Sequence, residues 1–252
     1  MAEKIDMKIY RILVAAALML AGSTIQLSGA ELTAEEILKR ADEARGNLEG
    51  VKWKVEIQSV DNDRIQERAL DVKARGYDFL ALMKSPPKVK GQKLLMVSHN
   101  MWFRRPNLRK PVPVSPRQKL VGGASYGDIA ATNYADDYAA EFLADEIVDG
   151  ERCYVFDLKA IHRKATYDGI KYWVSKNRLV GVKAEYYAVS GKLLKSASFE
   201  HRNQIQLRNR PRPFISKMTI VDALIGNNVT TLDFIDHRIM TVRPSNFDLN
   251  YF

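Results

Sequence analysis

The sequence predicts a mainly β protein of the α+β class, in which one N-terminal helix covers a long antiparallel meander. Three observations predict it: a single capped amphipathic helix, a series of short segments with period-two hydrophobicity, and turn residues between them.

Thr33 and Glu36 set the helix, spaced as a capping box in which each side chain satisfies a free backbone N–H of the first turn. Ile37, Leu38, Ala41 and Ala44 recur on one face, and Gly46 is placed to end the helix. So narrow a stripe must lie on something larger. In the first strand Val51, Trp53, Val55 and Ile57 alternate with Lys52, Lys54, Glu56 and Gln58, giving one apolar and one wet face. The pattern recurs in 77–83, 94–97, 153–158, 170–174, 180–187, 193–199, 215–221 and 229–235. Asp61-Asn62-Asp63, Pro86-Pro87, Asp149-Gly150, Lys176-Asn177, Ser190-Gly191 and Gly226-Asn227 supply the turns.

The stretch from Pro111 to Phe142 breaks this rhythm. Its Pro-rich start, its Gly122-Gly123 pair and the helix-like 134–143 predict a loop with one or two short helices, the kind of insertion that forms a lid. A meander of this length has exposed edges, and curling into a barrel around a core or a ligand is one solution. Trp53, Phe79, Trp102, Phe103, Trp173 and Met218 are large enough to line a hollow, although periodicity alone favours a filled core.

The first thirty residues read as an export signal. Lys4, Lys8 and Arg11 give a basic start, Ile12 to Ala21 is apolar, and Ser28-Gly29-Ala30 forms a small-x-small site before Glu31. That apolar run is shorter than the ~20 residues a membrane span needs. The expectation is therefore cleavage, with residues 31–252 forming one domain in the periplasm. Cys153, the single cysteine, lies far from the cleavage point and has no partner, so neither a lipid anchor nor an intramolecular disulfide is expected. It reads as a small buried hydrophobe.

The formal net charge is +9, of which the leader contributes +1 (Lys4, Lys8 and Arg11 against Glu3 and Asp6). Between Lys119 and Arg152 there are only acids, while Lys84 to Lys119 and His201 to Pro213 carry only basic charge. This polarity suits docking to anionic head groups or a partner protein. Nucleic acid is not an expected partner of an exported chain.

Motifs for catalysis are missing. There is no phosphate loop, His-x-x-x-His pair or Cys-x-x-Cys. His99, His162, His201 and His237 are scattered, so spacing indicates no metal site. Neighbouring carboxylates such as Asp136-Asp137 and Asp145-Glu146 point to opposite faces if they lie on strands. No catalytic residue, cofactor or metal is expected, and the chain reads as a binding protein, not an enzyme.

Several fragments carry a resemblance: Met101-Trp102-Phe103-Arg104-Arg105-Pro106, Tyr126-Gly127-Asp128, residues 148–155, Tyr172-Trp173-Val174 and residues 183–187. With the leader, helix and meander, they resemble the outer-membrane lipoprotein-sorting proteins, relatives of the LolA carrier that accompany RND-type lipid exporters. The resemblance implies a curved, half-open antiparallel β-barrel with an N-terminal helix and a helical or loop lid, as in LolA and LolB. Its apolar concave face would receive acyl chains, with Trp53, Phe79, Trp102, Trp173 and Met218 as the expected lining. The implied function is a periplasmic carrier of a lipoprotein or another envelope lipid between inner and outer membranes. The implied partners are an inner-membrane RND-type exporter or ABC-type lipoprotein release complex, and an outer-membrane acceptor. A lipid-sensing periplasmic regulator of the same fold is the alternative, for which a second domain would be expected. Ser175 departs from the family's acidic preference before its turn, and no basic lid latch of the LolA kind can be matched by position.

Overall fold

The computed structural model describes residues 32–61, 64–108, 110–225, 228–250 and 252. The leader and its cleavage point, and the turn residues Asn62, Asp63, Gly226 and Asn227, lie outside the described residues.

The first helix, α1 (Ala34–Ala44), forms as the sequence predicts. Glu36 N–H donates to Thr33 Oγ1 at 3.2 Å and Thr33 N–H donates to Glu36 Oε2 at 2.9 Å, closing the capping box. Ile37, Leu38, Ala41 and Ala44 are buried, and Gly46 leaves the helix with φ +111°. That left-handed conformation costs an L side chain about 1–2 kcal/mol, and here the Trp53 ring also fills the space a Cβ would need.

The chain then enters strands β1 (Val51–Asp61), β2 (Arg64–Arg75), β3 (Asp78–Ser85), β4 (Lys93–Val97), β5 (Asn100–Arg104) and β6 (Val112–Val114). An insertion follows, made of the small hairpin β7 (Lys119–Val121) and β8 (Ala124–Ser125) and the short helices α2 (Tyr126–Ala130) and α3 (Tyr134–Asp137). Strands β9 (Tyr138–Val148), β10 (Glu151–Ala160), β11 (Gly169–Ser175), β12 (Gly181–Tyr187) and β13 (Leu193–Glu200) resume the meander. A side hairpin, β14 (Asn203–Leu207) and β15 (Arg210–Phe214), precedes β16 (Lys217–Asp222), β17 (Val229–Ile239) and a 3-10 turn at Pro244–Phe247.

One 13-stranded antiparallel sheet takes the order β6-β5-β4-β3-β2-β1-β17-β16-β13-β12-β11-β10-β9. The first half of the chain thus runs outward from β1 to one edge, the second half starts at the other edge and runs inward, and β17 joins them by pairing with β1 from Val51↔Ile239 to Val60↔Val229. The edges β6 and β9 do not pair, so the curved sheet is an incomplete barrel. Its inner face gathers Val55, Leu70, Ala81, Leu94, Leu158, Ile170, Ala184, Met218 and Leu232 into one buried cluster with α1 and the insertion. On the outer face Val242, Phe247 and Phe252 pack with Leu95 over Leu80, Val97 and Trp102.

The predicted helix at 134–143 is corrected. It stops at Asp137, and from Tyr138 the backbone pairs with β10 along Tyr138↔Ala160 to Val148↔Glu151. The Asp149-Gly150 turn, with φ of 49° and 81°, is a primed hairpin turn that fixes this pairing, so long-range hydrogen bonding overrides a local helical pattern.

Candidate functional site

The inner face offers the apolar surface, and a groove opens at one end of it. A groove of about 1010 Å³ lies between the end of α1, the β2–β3 turn, the tip of the β14–β15 hairpin and the end of β17. Its floor is apolar, with Leu48, Leu207, Ile239, Met240 and Val242, and its rim carries Glu43, Arg75, Arg208 and Arg243. Leu48 also belongs to the inner cluster, so the groove abuts the core directly. The volume stands at the upper end of the roughly 300–1,000 Å³ typical of ligand pockets.

The insertion closes the opposite side of the inner face. Ala124, Ile129, Ala130 and Tyr134 turn into the cluster, which a free loop would not do. What holds it is a lysine of the sheet. Lys195 lies on β13 in phase with the inward Ala197 and Phe199, and its side chain is 9% exposed. Its ammonium donates to the Gly123 carbonyl at 2.8 Å and to Asp128 Oδ2 at 2.5 Å. Asp128, 1% exposed at its side chain, also accepts from Ser125 N–H at 2.6 Å, Ser125 Oγ at 2.8 Å and the Tyr167 hydroxyl at 2.6 Å. A buried carboxylate with this many donors is fully compensated, and an ion pair so shielded from water is screened little.

Two further attachments support the latch. Gly122 sits at φ +55°, where a Cβ would fall 1.9 Å from Ser59 Oγ, and Gly123 N–H donates to Thr230 Oγ1 at 2.9 Å. Arg117, ahead of β7, donates to both carboxylate oxygens of Asp168 at 2.8 and 3.0 Å.

Beneath the insertion, the end of α1 brings buried polar groups to the inner face. Asp42 accepts from the Ala135 N–H of α3 at 2.8 Å, and burial pushes its carboxyl up to about 8, so it is mostly protonated at neutral pH. The Arg45 guanidinium lies 4.7 Å from the Tyr134 ring centroid and 4.8 Å from that of Phe199, with Nε and Nη1 free of hydrogen-bond partners. Such donors inside an apolar cluster can serve the carbonyl or phosphate oxygens of an amphiphile.

The residues expected to line the hollow divide. Trp53, Phe79 and Met218 fall in the inner cluster. Trp102 packs with the C-terminal segment, and Trp173 lies in a small cluster with Cys153 and Val155, its indole N–H donating to Glu146 at 2.7 Å. Lys195 was missed because it sits in a period-two strand as an apparent exception. A lysine in phase with Ala197 and Phe199 is the signal that could have found it. The histidines that look scattered in sequence are not all scattered in space, since His99 and His162 both contact Asp137.

A curved, unclosed antiparallel sheet with a helix and a latched insertion over its apolar face defines a covered half-barrel. The chain belongs to the LolA superfamily, and to the family whose model, described only as "Uncharacterized protein", matches residues 76–252. A LolA superfamily protein from Nitrosomonas europaea is 30% identical, with a TM-score of 0.79 over 88% of this chain and 100% of that one. The fold is shared with a DUF1329 family protein from Desulfovibrio piger (18% identity, TM-score 0.73, 86% of this chain and 96% of that one). It is shared too with a domain from Vibrio parahaemolyticus named for outer membrane lipoprotein sorting (21% identity, TM-score 0.73, 87% and 99%). Among curated proteins, none matches the chain in sequence. Among the described residues no helix is long and apolar enough to cross a membrane.

Proposed function

We propose that this protein is a periplasmic carrier that binds the acyl chains of a lipoprotein or another envelope lipid and moves them between the inner and outer membranes. The observation that carries the reading is the apolar inner face of an open sheet, reached by a groove and covered by an insertion that a single buried lysine fastens. An acyl chain entering the groove would displace water from apolar surface at about 0.8 kcal/mol per methylene, so tight binding needs few polar contacts. Trp53, Phe79 and Met218 would then line the inner end of the path, and Leu48 and Met240 its mouth. Membership of the LolA superfamily supports this use of the fold, and Ser125, the serine of Gly123-Ala124-Ser125-Tyr126-Gly127, is buried and bonded to Asp128 and Tyr167 rather than to a histidine, which favours binding over catalysis. An RND-type exporter or an ABC-type lipoprotein release complex on the inner side and an outer-membrane acceptor are the partners this role requires. Export requires removal of the leader, so the intact mass of protein from the periplasm should correspond to a start near Glu31.

The test is displacement of a fluorescent apolar probe by a long-chain fatty acid or phospholipid. Met240 is 43% exposed and can be changed to Glu without emptying the core. That charge in the mouth should weaken binding at least tenfold, about 1.4 kcal/mol. Absence of probe binding to the unaltered protein, or no effect of Met240→Glu, would refute the proposed route.

A further inference from the structure

We propose that His99, Asp137 and His162 form a binding site for a zinc-like divalent metal ion that ties the two edges of the open sheet together. His99 occupies the β4–β5 turn, at φ +64°, and His162 the loop between β10 and β11. β5 and β10 stand second from opposite edges of the sheet, yet both rings reach Asp137 at the end of α3. His99 Nε2 is 2.7 Å and His162 Nε2 is 3.1 Å from the same Asp137 Oδ1. One ligand atom from each of the three residues lies within 4.8 Å of the other two.

Two imidazoles and a carboxylate are the donor set of three-ligand zinc sites, which leave a fourth position for water. With metal–ligand bonds of about 2.0–2.1 Å in a tetrahedron, ligand atoms stand about 3.3 Å apart. To admit an ion the two rings need to part from the carboxylate by about 0.2–0.6 Å, and the two imidazole nitrogens, up to 4.8 Å apart, need to close on each other by up to about 1.5 Å. The rest of the surroundings agrees. Asp137 is buried, which supplies a desolvated anion, while both histidine side chains are 30% exposed, which leaves the fourth position open to water. A hollow of about 280 Å³ bordered by His99, Pro113, Arg117, Arg163 and Lys164 adjoins the site and opens it to solvent. Because the three ligands come from strands near the two edges of the sheet and from the insertion, bound metal would brace those edges against each other.

The experiment is calorimetric titration of the tag-free exported protein with Zn²⁺ in the presence of a competing chelator, repeated for His99→Gln, His162→Ala and Asp137→Asn. His237→Ala is the control, since His237 lies apart from the site and contacts the Gln204 carbonyl. One ion per chain is expected for the unaltered protein and for His237→Ala. Loss of a ligand should weaken binding by more than the roughly 10–100-fold seen when an outer-sphere partner is lost. X-ray absorption of the zinc-loaded unaltered protein should show two imidazole and further oxygen donors, and it tests the site even if a variant fails to fold. No stoichiometric binding, equal binding in His99→Gln and His162→Ala, or a spectrum without imidazole would overturn the proposal.

Discussion

Replacing Lys195 by Met keeps the length of the aliphatic stem and removes the ammonium that joins β13 to the insertion. The change leaves the Gly123 carbonyl without its donor and Asp128 as a buried carboxylate without its cation. Removing one partner of a buried pair costs about 3–5 kcal/mol. Here Ser125 and Tyr167 still give Asp128 three hydrogen bonds, so the lower end, about 3 kcal/mol, is expected. In a domain of this size that lowers Tm by about 6–12 °C if the whole fold responds. If only the insertion opens, the loss appears as local exchange of its amides. Lys195→Met should therefore raise hydrogen exchange across 119–131 before it affects β1 or β17, and should speed uptake of an apolar probe. Adding Asp128→Asn should recover part of the loss, because the stranded charge disappears. Unchanged Tm together with unchanged exchange in 119–131 would refute the latch.

Asp42 predicts a pH dependence. Its folded carboxyl, raised by burial to about 8 from 3.8, binds protons that the unfolded chain releases. Stability should therefore fall as pH rises from about 4 towards about 8, by on the order of 4 kcal/mol over the first three units, and Asp42→Asn should flatten this slope in denaturant titrations. Gly122→Ala puts a methyl against Ser59 and Thr230 at a left-handed φ, so a loss of about 1–3 kcal/mol and a loosened insertion are expected by thermal melting and hydrogen exchange. Cys153 is fully buried with its thiol raised by burial, so it should resist alkylation until denaturant is added. Cys153→Ala should cost no more than about 1 kcal/mol in denaturant titrations and leave probe binding intact.

The helix and most strands were legible because their signals are local. Thr33 with Glu36, Gly46, the alternation from Val51 to Gln58 and the Asp149-Gly150 turn each act within a few residues, and the structure uses each of them. The strand at 138–148 was hidden because its partner is β10, and the side hairpin at 203–214 because its basic residues and prolines mask the alternation. The candidate site was less legible for the same reason. Lys195 and Asp128 are 67 residues apart, and His99 meets His162 only because the sheet folds its two edges toward α3. Trp102 and Trp173 were expected on the concave face through the family resemblance. Each sits instead in a small cluster apart from the inner one, where the C-terminal segment or the Lys171 and Lys183 side chains cover it.

Native mass spectrometry of protein taken from the periplasm, with extraction and identification of whatever lipid travels with it, tests carriage most directly. The expected result is a stoichiometric acyl-bearing lipid whose occupancy falls in Met240→Glu and whose exchange quickens in Lys195→Met. Protein that is lipid-free as isolated, and that takes up neither fatty acid nor phospholipid when these are supplied, would contradict the central claim.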